Sequence, residues 1–382
     1  MSAQSADVLV VGGGILGCSV AYYLAREGSD VLLIERGEIN GQASGRNAGS
    51  LHVQMLSHFL RQDDPAATEL AGRPLRLHVA GVAEWTALSG EIPDPIELHV
   101  DGGLMVATNP AERELLLQKI ELEQRLGIPV TLLDSSALAE RAPYLAGGTM
   151  AAAFCSAEGR LNPALATPAI ARAASRFGAR LSVQRRLFGL ESSAQGFLAH
   201  TEQGPIHAGK VINAAGPWGD EVAAMLGFHL PMERFVLQMN VTESVPRFLP
   251  HLVQHVGARL TLKQASNGNI IIGGGWPGRL DQTDQPHLLL DSIRGNLAIA
   301  CDLVPCLSGL SLLRSWPGIV GRIGDGNPVL GAMPGMPGFL QALAIPNGYT
   351  LGPICGRLVA ELAMGRAPSH DISLFSPHRF YH

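Results

Sequence analysis

Short apolar runs separated by glycine-rich turns recur along the chain, and the first of them carries the most information. Asp7-Val8-Leu9-Val10-Val11 has strand character and ends in Gly12-Gly13-Gly14-Ile15-Leu16-Gly17. Leu16, Val20 and Leu24 then recur at four-residue steps, predicting a helix that stops at Gly28 and leads into a second apolar strand, Val31-Leu32-Leu33-Ile34. Gly12, Gly14 and Gly17 fit the G-x-G-x-x-G spacing: a tight turn, a bare backbone that a pyrophosphate can approach, and close packing of helix on strand. Glu35, about 20 residues further on, is placed to accept hydrogen bonds from ribose hydroxyls. Unpaired N–H groups and the helix dipole favour phosphate at the turn. Strand, helix, strand and acid together predict an ADP-containing dinucleotide rather than an empty βαβ unit.

The stretch Gly41-Gln42-Ala43-Ser44-Gly45-Arg46-Asn47-Ala48-Gly49-Ser50 is small and polar. It follows the acid-bearing strand, where the chain must turn back toward the pyrophosphate, so Ser44, Asn47 and backbone N–H groups can bond phosphate or a flavin ring. Leu51-His52-Val53-Gln54 is carried on toward the reactive end of the cofactor. Gly102–Val106 then reads as a strand and Glu112–Leu126 as a helix, a piece that does not continue the βαβ pattern and predicts an inserted second domain. Asn162-Pro163 is a strong helix start, and the helix runs to Gly178. Strands follow at Arg180–Val183, Leu187–Glu191 and Phe197–Thr201. Lys210–Asn213 runs into Ala214-Ala215-Gly216-Pro217-Trp218, small enough at Ala215 and Gly216 to lie against a cofactor. From Pro231 the pattern is strand-rich again, at Phe235–Thr242, Leu260–Lys263 and Asn269–Ile272, covered by a helix from His287 to Leu303. Alternation puts Thr261 and Lys263 on one face.

The fold class expected is α/β plus α+β: a discontinuous Rossmann-like FAD-binding domain (1–80, 141–228, 317–382) with an inserted mixed-sheet substrate domain (81–140, 229–316). The argument for flavin over nicotinamide is a second glycine-rich helix start near the C-terminus. There Phe339–Ala344 reads as a strand, and Asn347-Gly348-Tyr349-Thr350-Leu351-Gly352-Pro353 opens a helix bearing Ile354, Leu358, Val359 and Leu362 on one side. Its positive end can stabilise a ring that becomes anionic on reduction.

Composition narrows the function. The charged fraction is only 16% and the formal net charge −5, with no lysine/arginine block, so nucleic acid is excluded as a partner. Five cysteines without a C-x-x-C pair give neither a disulfide framework nor a metal site, and free thiols in a reducing compartment are expected. Val8–Leu24 imitates a signal sequence, but it lacks a basic leader and its glycines have nucleotide-binding spacing. No membrane span and a cytoplasmic location are therefore expected, with any inner-membrane attachment through partners.

These residues resemble the D-amino-acid-oxidase superfamily of FAD enzymes over nearly the whole chain. The resemblance is carried by Gly12–Gly17, Glu35-Arg36, Ala43–Ser50, Asn213–Trp218, Gly268–Gly273, Asp325–Gly331 and Asn347–Pro353. Ser44–His52, Leu262-Lys263-Gln264 and Gly273–Pro277 are similar to one branch, the FAD subunits of heteromeric opine oxidase, hydrogen cyanide synthase and the proline and D-hydroxyproline dehydrogenases. The resemblance implies that Ile15, Leu16, Glu35, Arg36, Ser44, Gly49, Ser50 and Leu51 bind FAD. It also puts Leu187 by the adenine and Ile345–Thr350, with Asn347, Gly348, Tyr349 and Thr350, around the flavin pyrimidine. It implies oxidation of the C–N bond of an amino acid, imino acid or opine-type secondary amine by hydride transfer to flavin N5. A partner subunit with an iron–sulfur centre or flavin is implied as well, with FMN at the interface.

Glycine oxidases hold the substrate carboxylate with two arginines, where this chain has Val320 and Pro346. Lys263, Arg322 and Arg46 are the cationic candidates to replace them, and His52, Thr261, Lys263, Trp276 and Tyr349 the candidates to line the pocket. Three alternatives stay open. One is a stand-alone glycine/sarcosine-type oxidase using oxygen, and another is a non-catalytic electron-transfer flavin subunit. The third is an aromatic-type flavin monooxygenase, which Gly324-Asp325-Gly326-Asn327-Pro328 disfavours because the expected small residues and histidine do not follow.

Overall fold

A computed structural model of the chain describes residues 4–55, 64, 68, 72–345 and 347–381. Pro346, a residue of interest in the sequence, lies outside the described residues.

One eight-stranded sheet is built on the dinucleotide unit. Gln4–Val11 pairs in parallel with Val31–Ile34 on one side and Ile206–Asn213 on the other, in the register Val11↔Ile34 and Val11↔Asn213. Arg180–Ser182 extends the sheet beyond Val31–Ile34, and Met336–Leu343 and Val329–Met333 extend it beyond Ile206–Asn213. Val8–Val11 and Val31–Ile34 at the heart of this sheet are apolar at every position because both faces are covered. Val8, Val10 and Leu33 face the helices Ile15–Arg26, Pro163–Arg176 and Gly348–Ala363, while Leu9, Val11, Leu32 and Ile34 face a second apolar layer with Leu187, Phe197 and Phe339. The expected cap is present: the Asn162 side chain accepts the Ala164 N–H, and Pro163 opens the helix.

The other eight-stranded sheet runs in the order 312–323, 232–244, 269–273, 261–264, 252–255, 103–107, 151–155, 130–134. Its outer face, with Leu262, Ile270 and Ile272, is covered by the helix Leu290–Leu303, which starts three residues later than His287. Thr261, Lys263 and Ile271 occupy the opposite face by alternation. Strand membership departs from the expected segments at Ala151–Cys155. These residues fall in 141–228, yet pair with Gly103–Ala107 and Val130–Asp134 as the penultimate strand of this sheet. Among the described residues no helix is long and apolar enough to cross a membrane.

Candidate active site

The glycine turn forms the floor of a long groove. Gly12 has φ +117°, and a Cβ there would lie 2.4 Å from the Ala214 carbonyl; a Cβ on Gly17 would lie 1.9 Å from the Gly12 carbonyl. Neither position admits a side chain, so strand, turn and helix lock closely together. Glu35 is held at the end of its strand by the N–H groups of Gly13 (2.7 Å) and Gly37 (2.8 Å). Ser44 Oγ accepts the Ile15 N–H at 2.9 Å, bringing the polar loop onto the first helical turn. Asn47 braces the loop internally, donating to the Ala43 and Ser44 carbonyls and accepting the Gly49 N–H.

Most of the residues read as cofactor-binding line this one groove. Gly12, Gly14, Ile15, Leu16, Glu35, Arg36, Ala43, Ser44 and Asn47 come from the N-terminal unit. Leu187, Ala215, Gly216, Gly348 and Tyr349 reach it from three later segments. Arg36 stacks its guanidinium 3.9 Å over the Trp218 ring at one wall. Gly17 serves packing rather than lining. Gly49, Ser50 and Leu51 lie just past the groove, with Ser50-Leu51 pairing against Gly159-Arg160, and Asn347 caps the C-terminal helix. Thr350 does not line the groove either; its Oγ1 accepts the His52 N–H at 3.0 Å, joining the C-terminal helix to the loop.

The candidates for substrate chemistry separate into two groups. Lys263 is 2% exposed, on the face of its strand opposite the helix Leu290–Leu303, and lines a cavity with Asn47, Arg160 and Trp316. Among the described residues its side chain has no carboxylate partner and no hydrogen bond, and burial, aided by Arg160, lowers its pKa well below the usual lysine range. His52 lies in reach of Lys263, and burial together with that charge brings its imidazole down to about 4. Its Nδ1 is buried without a partner. Thr261 shares the face of Lys263.

The other candidates sit elsewhere. Arg322 is exposed, paired with Glu233 at 2.5 Å and drawn over Phe235, because strand alternation turns it to the outside. Trp276 donates to the Arg259 carbonyl and packs on Gly295 of the outer helix, away from the cavity. The Tyr349 ring tilts against Trp85, burying its hydroxyl without a partner, so this residue meets the groove without offering its phenol. Arg46 binds the Gly41 and Pro317 carbonyls and accepts from Trp316 through its own carbonyl, a loop-fixing role.

Sequence reasoning missed a buried polar cluster behind His52. The Glu158 carboxylate accepts the Val53 N–H (2.8 Å), the Gln54 N–H (2.9 Å) and the side-chain amides of Gln54 and Gln254. Lys119 donates to Gln54 (2.8 Å) and Glu123 (2.5 Å), and Glu123 accepts the Met55 N–H. The backbone of Val53–Met55 is thus held by two buried carboxylates. No sequence signal flags this cluster. Lys119 and Glu123 stand at i,i+4 on a helix, the spacing of an ordinary surface pair.

The model of the DAO family, FAD dependent oxidoreductase, matches residues 7–362. The chain belongs to that family. Its groove fits FAD in its chemistry: a turn with no room for a Cβ, an acid at the end of the second strand, and a second helix start at Gly348 lining the same groove. An opine oxidase subunit of Rhizobium meliloti is 28% identical, over 98% of this chain and 97% of its own length. Glycine oxidase of Geobacillus kaustophilus (strain HTA426) is also 28% identical, over 97% of this chain and 96% of its own. The crystal structure of glycine oxidase from Geobacillus kaustophilus superposes with a TM-score of 0.87 at 26% identity, covering 98% of each chain. This DAO-family chain is an enzyme that uses FAD.

Proposed function

We propose that this chain oxidises the C–N bond of an amino acid, imino acid or opine-type secondary amine, as the catalytic subunit of a heteromeric dehydrogenase. Similarity to an opine oxidase and to a glycine oxidase supports the substrate class, and the opine oxidase relative is one subunit of its enzyme, which supports a partner. Bound FAD supplies the hydride acceptor at N5. The chain itself has to orient the amine, exclude water and neutralise the substrate's carboxylate.

The observation that carries this reading is Lys263, a buried amine with no carboxylate partner among the described residues, in the cavity beside Asn47. An unpaired buried charge costs several kcal/mol, which is why the ammonium form is disfavoured here, and a substrate carboxylate offsets that cost when it binds. Lys263 thereby takes the place of the arginines that Val320 and Pro346 replace. Electrons leave to a partner subunit carrying an iron–sulfur centre or flavin, with FMN at the interface, in the cytoplasm.

The test is anaerobic mixing of the purified yellow chain with a panel of amino acids, imino acids and opines. Bleaching of the flavin by a carboxylate-bearing amine is expected, with slow reoxidation by air. Bleaching by none of them sinks the substrate class, and hydrogen peroxide at the full turnover rate sinks the dehydrogenase assembly.

A further inference from the structure

The register of the second sheet sets two cations at the ends of one row. Arg314 pairs with Val241, Val241 with Ile271, and Ile271 with Lys263, across four neighbouring strands. Side chains at paired positions stand on the same face, so the row reads cation, valine, isoleucine, cation. All four residues line the cavity that holds Asn47 and Trp316. Neighbouring strands lie about 4.8 Å apart, which sets the Cα atoms of Lys263 and Arg314 roughly 14 Å apart, and both side chains are long enough to lean inward over the two aliphatic residues.

The two ends differ in their surroundings. Lys263 is buried, next to Gln264, whose carbonyl accepts from Arg160 at 2.9 Å; Arg160 is itself answered by Asp101 at 3.1 Å. Arg314 is exposed and, among the described residues, has neither a carboxylate partner nor a hydrogen bond. Its guanidinium lies 5.4 Å from the centre of the Trp316 ring, and that ring donates to the Arg46 carbonyl at 2.8 Å, so the arginine is steadied at the edge of the cavity. Glu97, the carboxylate in the lining, accepts from Asn162 and forms no ion pair with either end of the row. Two cations thus face one cavity without an anion of their own.

We infer that Arg314 is a specificity-determining residue that takes a second carboxylate, so that the amine oxidised here carries two carboxylates, one for each end of the row. This rests on the amine-oxidation reading above, with Lys263 as the anchor of the first carboxylate. The second belongs either to the substituent on nitrogen, as in a secondary amine built from two acids, or to the side chain of an acidic amino acid. Both present two anions joined by a short chain, and the cavity, about 530 Å³, has room for either.

The experiment uses the FAD-loaded chain and compounds matched except for the second carboxylate. N-(carboxymethyl)glycine is set against N-ethylglycine, and glutamate against norvaline in both enantiomers, by anaerobic reduction of the flavin. Glutarate is set against pentanoate, neither of which can be oxidised as an amine, by perturbation of the flavin's visible spectrum. In at least one amine pair the diacid should act at a concentration about tenfold lower, and glutarate should bind about tenfold tighter than pentanoate, as a charge-assisted contact requires. The pair that shows the preference locates the second carboxylate on nitrogen or on the side chain. Arg314→Gln should bring these ratios close to one, and Arg314→Lys should retain part of them. Arg322→Gln, which removes an exposed arginine of the same strand that pairs with Glu233, should keep the parent's ratios. No preference for the diacid in the parent, or a preference that survives Arg314→Gln, overturns the inference. If no amine reduces the flavin while glutarate keeps an Arg314-dependent preference, the two-carboxylate site stands and the amine-oxidation reading falls.

Discussion

The groove and the cavity beside it are built from opposite materials. The groove floor is backbone: glycines without room for a Cβ, a helix start, and one acid held by the N–H groups of Gly13 and Gly37. The cavity is lined by side chains, Lys263 and Arg160 among them, and near it Glu158, Glu123 and Lys119 form a buried cluster held by its own hydrogen bonds. A backbone site tolerates change in the side chains around it and fails when a glycine gains an atom. A site of buried charges fails when one member is removed, because the partner is left without compensation.

That contrast predicts where damage appears. Gly17→Val should be the most severe change, since even a Cβ falls 1.9 Å from the Gly12 carbonyl. We expect a loss of at least about 3 kcal/mol and no retained FAD, read by thermal melting and the visible spectrum. Lys119→Met should cost about 3–5 kcal/mol by stranding the buried Glu123. Adding Glu123→Leu should recover part of it, and a single variant that melts like the parent would show the pair to be dispensable.

The buried histidines give the contrast a pH dependence. His52, His78 and His251 are each lowered from 6.5 to about 4 by burial. The unfolded chain therefore binds more protons than the folded one between these values, so their contribution to stability is complete above pH 6.5 and is lost as pH falls through 4. Melting temperature should drop across that window, and His78→Gln should flatten the drop. Smaller again is Glu35→Ala, which should weaken FAD binding about tenfold through the lost ribose acceptor without changing the fold.

The groove was legible in the sequence because each of its requirements leaves a local mark. Spacing located Gly12, Gly14 and Gly17, an apolar strand led to Glu35, and the capped start at Asn162 matched its helix. The cavity was legible only through alternation, which set Thr261 and Lys263 on one inner face. Its supports are not local: Glu158 meets Gln54 across 104 positions of sequence and Gln254 across 96. Arg322 was placed by nearness in sequence to a family motif, and strand alternation turned it out to Glu233. Trp276 likewise follows a motif but leaves the inner face after Gly273 and joins the outer helix.

The central claim is that Lys263 receives the substrate's carboxylate while the groove alone holds FAD. Lys263→Met and Arg322→Met should be compared by anaerobic stopped-flow reduction of the bound flavin, using an amino or imino acid that reduces the parent. Lys263→Met is predicted to keep its FAD and to raise the concentration for half-maximal reduction about tenfold or more, as loss of a charge-assisted contact requires; Arg322→Met should match the parent. Unaltered reduction in Lys263→Met would contradict the account, and impairment in Arg322→Met alone would move the anchor there.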